Sequence, residues 1–375
     1  MRIAMIGTRG VPARYGGFET AIEEIGQRLV GMGHSVRVYC RNPGQEEIAH
    51  KGMDLVNLPA YRKSALETLS HTALSVAHCM RHKPDAAVLF NAGNAPLIPA
   101  LRARGIPTAV HVDGLEWKRA KWQGAGAAYY KRAEALCARS RVELIADAQG
   151  IADYLLDEYG RSSHLLAYGA EILDPGADKL PELGVERGGY HLVVARMEPE
   201  NHVHLIVDGY RRSGSTTPLI VVGSAPYQDD YISFVESLAR DTDVRFAGSV
   251  WDQDLLNQLY ANARSYLHGH SVGGTNPSLL RALGCAAPVT AFDVNFNREV
   301  TAGHARFFAS AEDVADAIRE DDADPRGAEK RGLEGQSHVA RAYRWDDVAR
   351  GYENLLLQMA AGRWNAAEVG EVRAG

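Results

Sequence analysis

Three short stretches hold most of the residues whose type and spacing suit chemistry. The first runs Gly7-Thr8-Arg9-Gly10-Val11-Pro12-Ala13-Arg14-Tyr15-Gly16-Gly17 and leads into a periodic apolar segment from Phe18. Free N–H groups at a helix start, the positive end of its dipole and glycines that admit a ligand to the backbone make such a loop an anion site. A plain strand-to-helix turn is the alternative, but the loop is long for one and carries Arg9 and Arg14. It is not GxGxxG, because two residues separate Gly7 from Gly10. The second stretch, His111-Val112-Asp113-Gly114-Leu115-Glu116-Trp117, puts an imidazole and two carboxylates where a strand ends. Bases are wanted there, although an Asp in that place equally suits a helix cap. The third is His268-Gly269-His270-Ser271-Val272-Gly273-Gly274-Thr275-Asn276-Pro277-Ser278-Leu279-Leu280-Arg281. Its glycine pair, a cap at Thr275 or Asn276 and Pro277 at the first helical position build a second anion cradle. His268 and His270 lack a third ligand nearby, so satisfied polar histidines are expected instead of a metal site.

These stretches need elements to hold them. Arg2–Ile6, Ser35–Cys40, Ala86–Phe90, Thr108–Val112 and Leu144–Ala146 read as short strands with helical stretches between them. Phe18, Ile22, Ile25 and Leu29 recur at helical spacing, and Gly31 and Gly33 end that helix. From Asp174 to Gly189 the texture turns to Pro, Gly and scattered charge, and then the rhythm restarts. His191–Ala195, Pro218–Val222, Val244–Phe246, Ser265–His268 and Pro288–Ala291 are its strands, and Trp345–Met359 is a final amphipathic helix. The expectation is an α/β protein of two Rossmann-like domains, residues 1–170 and 171–344, with parallel sheets facing across a cleft. Residues 345–375 are expected to return to the first domain. Ligands of such sheets bind outside the carboxyl ends of the strands, where all three stretches fall.

Composition narrows the class. The chain has 375 residues, 46% hydrophobic and 23% charged, enough for a sizeable core in each of two domains. A net charge of −6 speaks against a general nucleic-acid binder. Cys40, Cys79, Cys137 and Cys285 form no CxxC pair, which points to a reducing compartment. The apolar start at Ile3–Ile6 is cut off by Gly7, so no signal peptide is expected, and no stretch approaches a membrane span. The expected location is the cytoplasm. One region departs from the acidic balance: residues 101–141 carry nine basic and three acidic residues. There Trp117, Lys118, Arg119, Lys121, Trp122, Tyr129, Tyr130, Lys131 and Arg132 mix aromatic rings with positive charge. That mixture suits peripheral contact with the inner face of a membrane, and equally a core tryptophan pair beside a solvated helix. The opposite run, Glu312 to Asp324, is read as a solvated helix end.

Gly16-Gly17 opening a helix, Val194-Ala195-Arg196 at a strand end and the Gly-rich loop before Ser278-Leu279-Leu280-Arg281-Ala282-Leu283 together resemble family-4 glycosyltransferases of GT-B fold. The strings GTRGVPARYGGFET, VDGLEWKRAKW and HGHSVGGTNPSLL resemble a bacterial branch that includes rhamnosyltransferases of capsule and exopolysaccharide synthesis. The resemblance implies a retaining transfer, with rhamnose as one sugar, from a nucleotide-diphosphate sugar to a hydroxyl of a glycan, lipid-linked or small-molecule acceptor. It implies no cofactor and no required metal. The C-terminal domain would hold the donor through Arg196, Asn201, Gly273, Gly274, Thr275, Asn276 and Arg281, with Gly16 and Gly17 reaching it from the other domain. Asp113, Glu116 and Arg196 would serve the reaction, and Arg9, Arg14, Tyr15, Glu19 and Trp117 would lie on the acceptor side. Asn201 stands where relatives have a lysine, and Gly273 and Arg281 stand where wider relatives have two glutamates, the second of which holds the ribose. Asp241-Thr242-Asp243 has the DxD pattern of metal-dependent sugar transferases, but it precedes a strand, and Asp252-Gln253-Asp254 opens a helix; both are read as structural. Two other classes remain. Arg41 after the second strand would suit the 2′-phosphate of an NADP-dependent oxidoreductase. Gly273 and Arg281 would suit a non-catalytic, sugar-nucleotide-binding partner protein.

Overall fold

The computed structural model describes residues 1–13, 17–41, 47–61, 64–112, 114–118, 124–224 and 229–363. The chain divides into two compact units, Met1–Tyr168 with Trp345–Gly375, and Gly169–Arg344.

In the first unit, β1 (Arg2–Ile6), β2 (Ser35–Cys40), β3 (Ala49–His50), β4 (Met53–Asn57), β5 (Ala86–Phe90), β6 (Thr108–His111), β7 (Glu143–Ala146) and β8 (His164–Leu165) form one sheet. Its order is β3-β4-β2-β1-β5-β6-β7-β8, parallel throughout except for the β3–β4 pair. β5 and β6 are buried at every residue, as strands covered by helices on both faces must be. Helix Gly17–Gly31 lays Ile22, Ile25 and Leu29 on the sheet. The last helix, Trp345–Ala360, joins this unit through Arg28 Nε to Asp346 Oδ1 and His34 Nε2 to Glu353 Oε1, each at 2.8 Å.

The second unit has β9 (His191–Val194), β10 (Leu219–Val222), β11 (Val244–Gly248), β12 (Ser265–His268), β13 (Val289–Phe292) and β14 (Arg306–Phe308). They form a parallel sheet in the order β11-β10-β9-β12-β13-β14. Val193, Val207, Leu219, Leu267, Phe308 and Ile318 are fully buried in a core between this sheet and helices Val203–Ser213 and Ala311–Ala323.

Strand order reverses between β1 and β5 in one sheet and between β9 and β12 in the other. A doubly wound sheet leaves a crevice at the carboxyl end of each such reversal, because the flanking helices depart to opposite faces. Asp241 and Asp243 indeed precede a strand, and Asp243 pairs with Arg245 at 2.8 Å. Asp252 caps helix Gln253–Asn262, accepting from the N–H groups of Asp254 and Leu255.

Candidate active site

In the second unit the loops after β9 and β12 are tied together at the reversal. Asn201 is buried, and both ends of its amide are used: Nδ2 donates to the Arg196 carbonyl at 2.8 Å and Oδ1 accepts from His270 Nδ1 at 2.7 Å. Ser271 adds its N–H and hydroxyl to the Glu200 carbonyl, at 3.1 and 3.0 Å. His202 donates to the Gly269 carbonyl at 2.8 Å and stacks on Phe292. Glycine makes this closeness possible. A Cβ on Gly269 would lie 2.0 Å from the Asn201 carbonyl oxygen, and one on Gly223, after β10, 1.8 Å from that of Ala195.

Arg196 is held, about one third exposed, in a two-point ion pair with Glu198, both contacts at 3.1 Å. Gly273 has φ +130, a region closed to most side chains, and Thr275 is buried. Asn276 caps helix Pro277–Gly284 by accepting from Ser278 N–H at 2.8 Å, with Pro277 in the first turn. The first N–H groups of that helix therefore follow directly on the glycine loop, an arrangement suited to an anion. His268 is buried, its Nδ1 meets the Tyr266 hydroxyl at 3.0 Å, and burial drives the ring down to about 3, so it stays neutral. Among the described residues no group of three or more His, Cys, Asp or Glu could hold a metal.

Arg281, expected on the donor side, is engaged within the second unit. Its guanidinium spends Nε on Asn257 Oδ1 at 2.7 Å and its other nitrogens on Gln253 Oε1 and the Gln253 carbonyl at 2.9 and 3.1 Å. It ties helix Pro277–Gly284 to helix Gln253–Asn262. Asn201 also departs from the role of the lysine it replaces, because its buried amide is consumed inside the protein.

In the first unit, the β1 loop is pinned from below. Gly7 (φ +105) passes so near β5 that a Cβ would sit 2.5 Å from the Phe90 carbonyl oxygen. Glu19 is buried and accepts the Arg9 N–H at 3.0 Å, so it fastens the loop, while the Arg9 side chain is exposed. Arg14, Tyr15, Gly16 and Asp113 lie outside the described residues, and Gly17 begins the helix. His111 is not a base. It lies wholly buried among Phe18, Phe90 and Tyr168, and burial drives its ring down to about 4.

Across the reversal, Asn91 ends β5 at φ 71, accepting from Gly93 N–H at 2.7 Å. It borders a small cavity with room for about one water, partly open to solvent, with Gly114, Glu116, Trp117, Tyr130 and Glu134. Tyr130 and Glu134, one helical turn apart on helix Ala125–Arg139, face the segment after β5, and neighbouring Tyr129 donates to the Gly93 carbonyl at 2.6 Å. Tyr154 and Tyr159 both donate to Glu134 Oε1, at 2.6 and 2.8 Å, and burial together with that bond pushes the Tyr159 phenol up to about 12. Lys118 and Lys131 place their ammonium groups 5.3 and 5.1 Å from the Trp117 ring. Trp117, Tyr129 and Tyr130 are half-buried; Arg119, Lys121 and Trp122 lie outside the described residues. Among the described residues no helix is long and apolar enough to cross a membrane. Of the residues around this cavity, Glu116, Trp117 and Tyr130 were singled out from the sequence and Asn91 and Glu134 were not. The one signal for them was a polar residue closing an all-apolar strand at Asn91.

Two doubly wound α/β units, each with a glycine-bearing loop at its strand reversal, are the architecture of the GT-B fold. Residues 16–168 match the glycosyl transferase 4-like domain and residues 189–320 the glycosyl transferases group 1 domain. The chain belongs to the family-4 GT-B glycosyltransferases. It is 33% identical over 135 residues to O-antigen chain mannosyltransferase B of Escherichia coli, a stretch that spans 35% of each protein. Sucrose-phosphate synthase from Thermosynechococcus elongatus superposes with a TM-score of 0.83 at 19% identity, over 96% of this chain and 99% of that one. HepE of Anabaena, solved in complex with UDP-glucose, superposes with a TM-score of 0.75 at 15% identity, over 95% and 99%.

Proposed function

We propose that the chain transfers a sugar, with retention, from a nucleotide-diphosphate sugar to a hydroxyl of a glycan, glycolipid or small-molecule acceptor. The observation that carries this reading is the coupled pair of loops at the β9–β12 reversal. Asn201 joins them, Arg196 stands at one, and the glycine turn and N-terminus of helix Pro277–Gly284 stand at the other. Fixed positive charge and N–H dipoles are what a departing nucleoside diphosphate needs, with no metal cofactor. Gly273, Gly274, Thr275 and Asn276 would cradle the phosphates, and Arg196 would pair with them in exchange for Glu198. Arg281 acts at one remove, by holding the helix that carries the loop. Gly16 and Gly17 complete the donor side, and Arg9, Arg14, Tyr15, Asp113, Glu116 and Trp117 serve the acceptor side, with Glu19 as the fastener of their loop.

Rhamnose follows from the sequence branch. A mannosyl donor is the second reading, favoured by the Escherichia coli relative. Peripheral contact with an anionic membrane face is supported by the exposed charge of Lys118, Lys131 and Arg132 beside the half-buried Trp117, Tyr129 and Tyr130. The test is a thermal-shift screen against UDP-, dTDP- and GDP-sugars followed by a donor-hydrolysis assay. One nucleotide sugar should raise Tm in proportion to occupancy and be slowly hydrolysed. Stabilisation without any turnover would leave a binding protein, and no stabilisation by any of them would sink the proposal.

A further inference from the structure

Asn201 does more than tie two loops, because the direction of its amide settles which nitrogen of His270 carries a hydrogen. Its Nδ2 donates to the Arg196 carbonyl, so Oδ1 is the atom that faces His270 Nδ1 at 2.7 Å. An amide oxygen only accepts, and the reverse amide orientation would set Oδ1 against the Arg196 carbonyl oxygen. The hydrogen of the neutral ring therefore sits on Nδ1, and Nε2 gains one only when the ring is protonated. Nε2 points at the glycine turn, 3.4 Å from where a Cβ on Gly273 would stand. Glycine there puts no side chain between the ring and the turn that leads into helix Pro277–Gly284. The backbone of His270 is held too, its carbonyl accepting from Asn297 Nδ2 at 2.9 Å.

Two kinds of ligand group suit Nε2, and they demand opposite states of the ring. A hydroxyl would donate to the neutral form. An ionised phosphate oxygen has no hydrogen to give, so it would bind the imidazolium alone. A glycine turn running into a helix N-terminus is built for the second. The charged and titratable groups around the ring permit its positive form. His268, 6.0 Å away ring to ring, stays neutral, and Arg196 is paired with Glu198. His202 is turned to the Gly269 carbonyl, and Glu200, on the turn that carries Asn201, is a buried carboxylate of the favourable sign. On helix Asn295–Thr301, Arg298 is taken by Asp293 and Glu299 lies near Tyr343.

We infer that His270 binds the donor's diphosphate as an imidazolium, through Nε2–H, with Asn201 as its positioning residue. This rests on the glycosyltransferase reading above. It adds that neutral Asn201 supplies positive charge indirectly, by aiming a ring that is charged when the donor is bound. The proton comes from solvent as the diphosphate arrives and returns to it as the nucleotide leaves.

The experiment is a calorimetric titration of the full chain with UDP-glucose, GDP-mannose and dTDP-rhamnose, whose diphosphates are diesters and do not themselves titrate near neutral pH. Buffers of different ionisation enthalpy at pH 7.5 count the protons that accompany binding. A nucleotide sugar that binds should take up close to one proton, and its affinity should rise about tenfold from pH 8 to pH 6.5. His270→Asn keeps an N–H for Asn201 where Nδ1 stood and removes Nε2. It should abolish the uptake and weaken binding about tenfold at pH 6.5. Should that variant not fold, the wild-type proton count decides alone. A ring that merely pins the loops would give binding without proton uptake, which overturns the inference, as does uptake unchanged in His270→Asn. Affinity that falls on acidification overturns it as well, since Nε2 would then accept from a hydroxyl. In each of these cases the glycosyltransferase reading stands. Binding of none of the three nucleotide sugars overturns both together.

Discussion

Arg196 and Glu198 form a competition at the scale of single residues. The guanidinium is paired at two points with the carboxylate, so a diphosphate must displace Glu198 to gain the arginine. Arg196→Ala should therefore weaken nucleotide-diphosphate affinity by roughly 1.5–3 kcal/mol, the range for a charge-assisted bond. Glu198→Ala should act in the opposite direction by freeing the guanidinium. Calorimetry with the preferred nucleotide checks both, and equal affinities in the two variants would remove Arg196 from the diphosphate site. The place of Arg196 just past β9 was legible because an apolar run leads straight into it. Arg281 was not, because its partners Asn257 and Gln253 lie on a helix whose packing no local pattern announces. Asn201 shows the same limit: its type suggested a weakened phosphate contact, whereas burial makes it the bolt between two loops.

The loops around the β9–β12 reversal owe their shape to glycine contacts between neighbouring strand ends. Alanine at position 269 would put a carbon 2.0 Å from the Asn201 carbonyl oxygen, and at position 223 it would add an unfavourable φ of +138 to a 1.8 Å clash. Backbone cannot yield as a flexible side chain does, so Gly269→Ala should cost about 3 kcal/mol or more of stability in the second unit. Nucleotide affinity should fall with it. Urea unfolding followed by calorimetry at a folded concentration checks this, and wild-type stability in Gly269→Ala would show that the two loops are not in close contact. At this scale the sequence was most readable. The apolar runs of β1, β2, β5, β6, β7, β9, β10, β12 and β13 all appeared within a residue or two of their bounds. The strands it hid are short or interrupted: β3 and β8 have two residues each, β14 has three at a sheet edge, and β4 has Asp54 in its middle. Such strands exist because a neighbour pairs with them, not because their residues demand it.

For the whole molecule, the titration of buried histidines links both units to one solution property. Burial holds His71 and His111 down to about 4 in the first unit, and His268 down to about 3 in the second, the nearby Arg41 adding to the effect at His71. All three stay neutral in the folded chain while their unfolded counterparts, near 6.5, take up protons as the pH falls. The unfolded state then binds more protons than the folded one, so stability rises with pH through this window and is lost on acidification. The window begins near pH 6.5, above the carboxylates: Asp322, which burial would raise but which His191 and Ser215 hold well below the ordinary range, adds its loss only in stronger acid. The expected outcome is a fall in unfolding free energy between pH 7.5 and pH 5 of roughly 1–2 kcal/mol per histidine. His111→Phe would keep the aromatic stack with Phe90 and Tyr168 and remove one of these titrations, so its pH dependence should be shallower by that amount. Urea titrations of both proteins at the two pH values decide it. A wild-type stability that is flat from pH 7.5 to pH 5 would mean that these rings reach water in the folded state, and the buried positions assigned to His111 and His268 beside the two strand reversals would have to be given up.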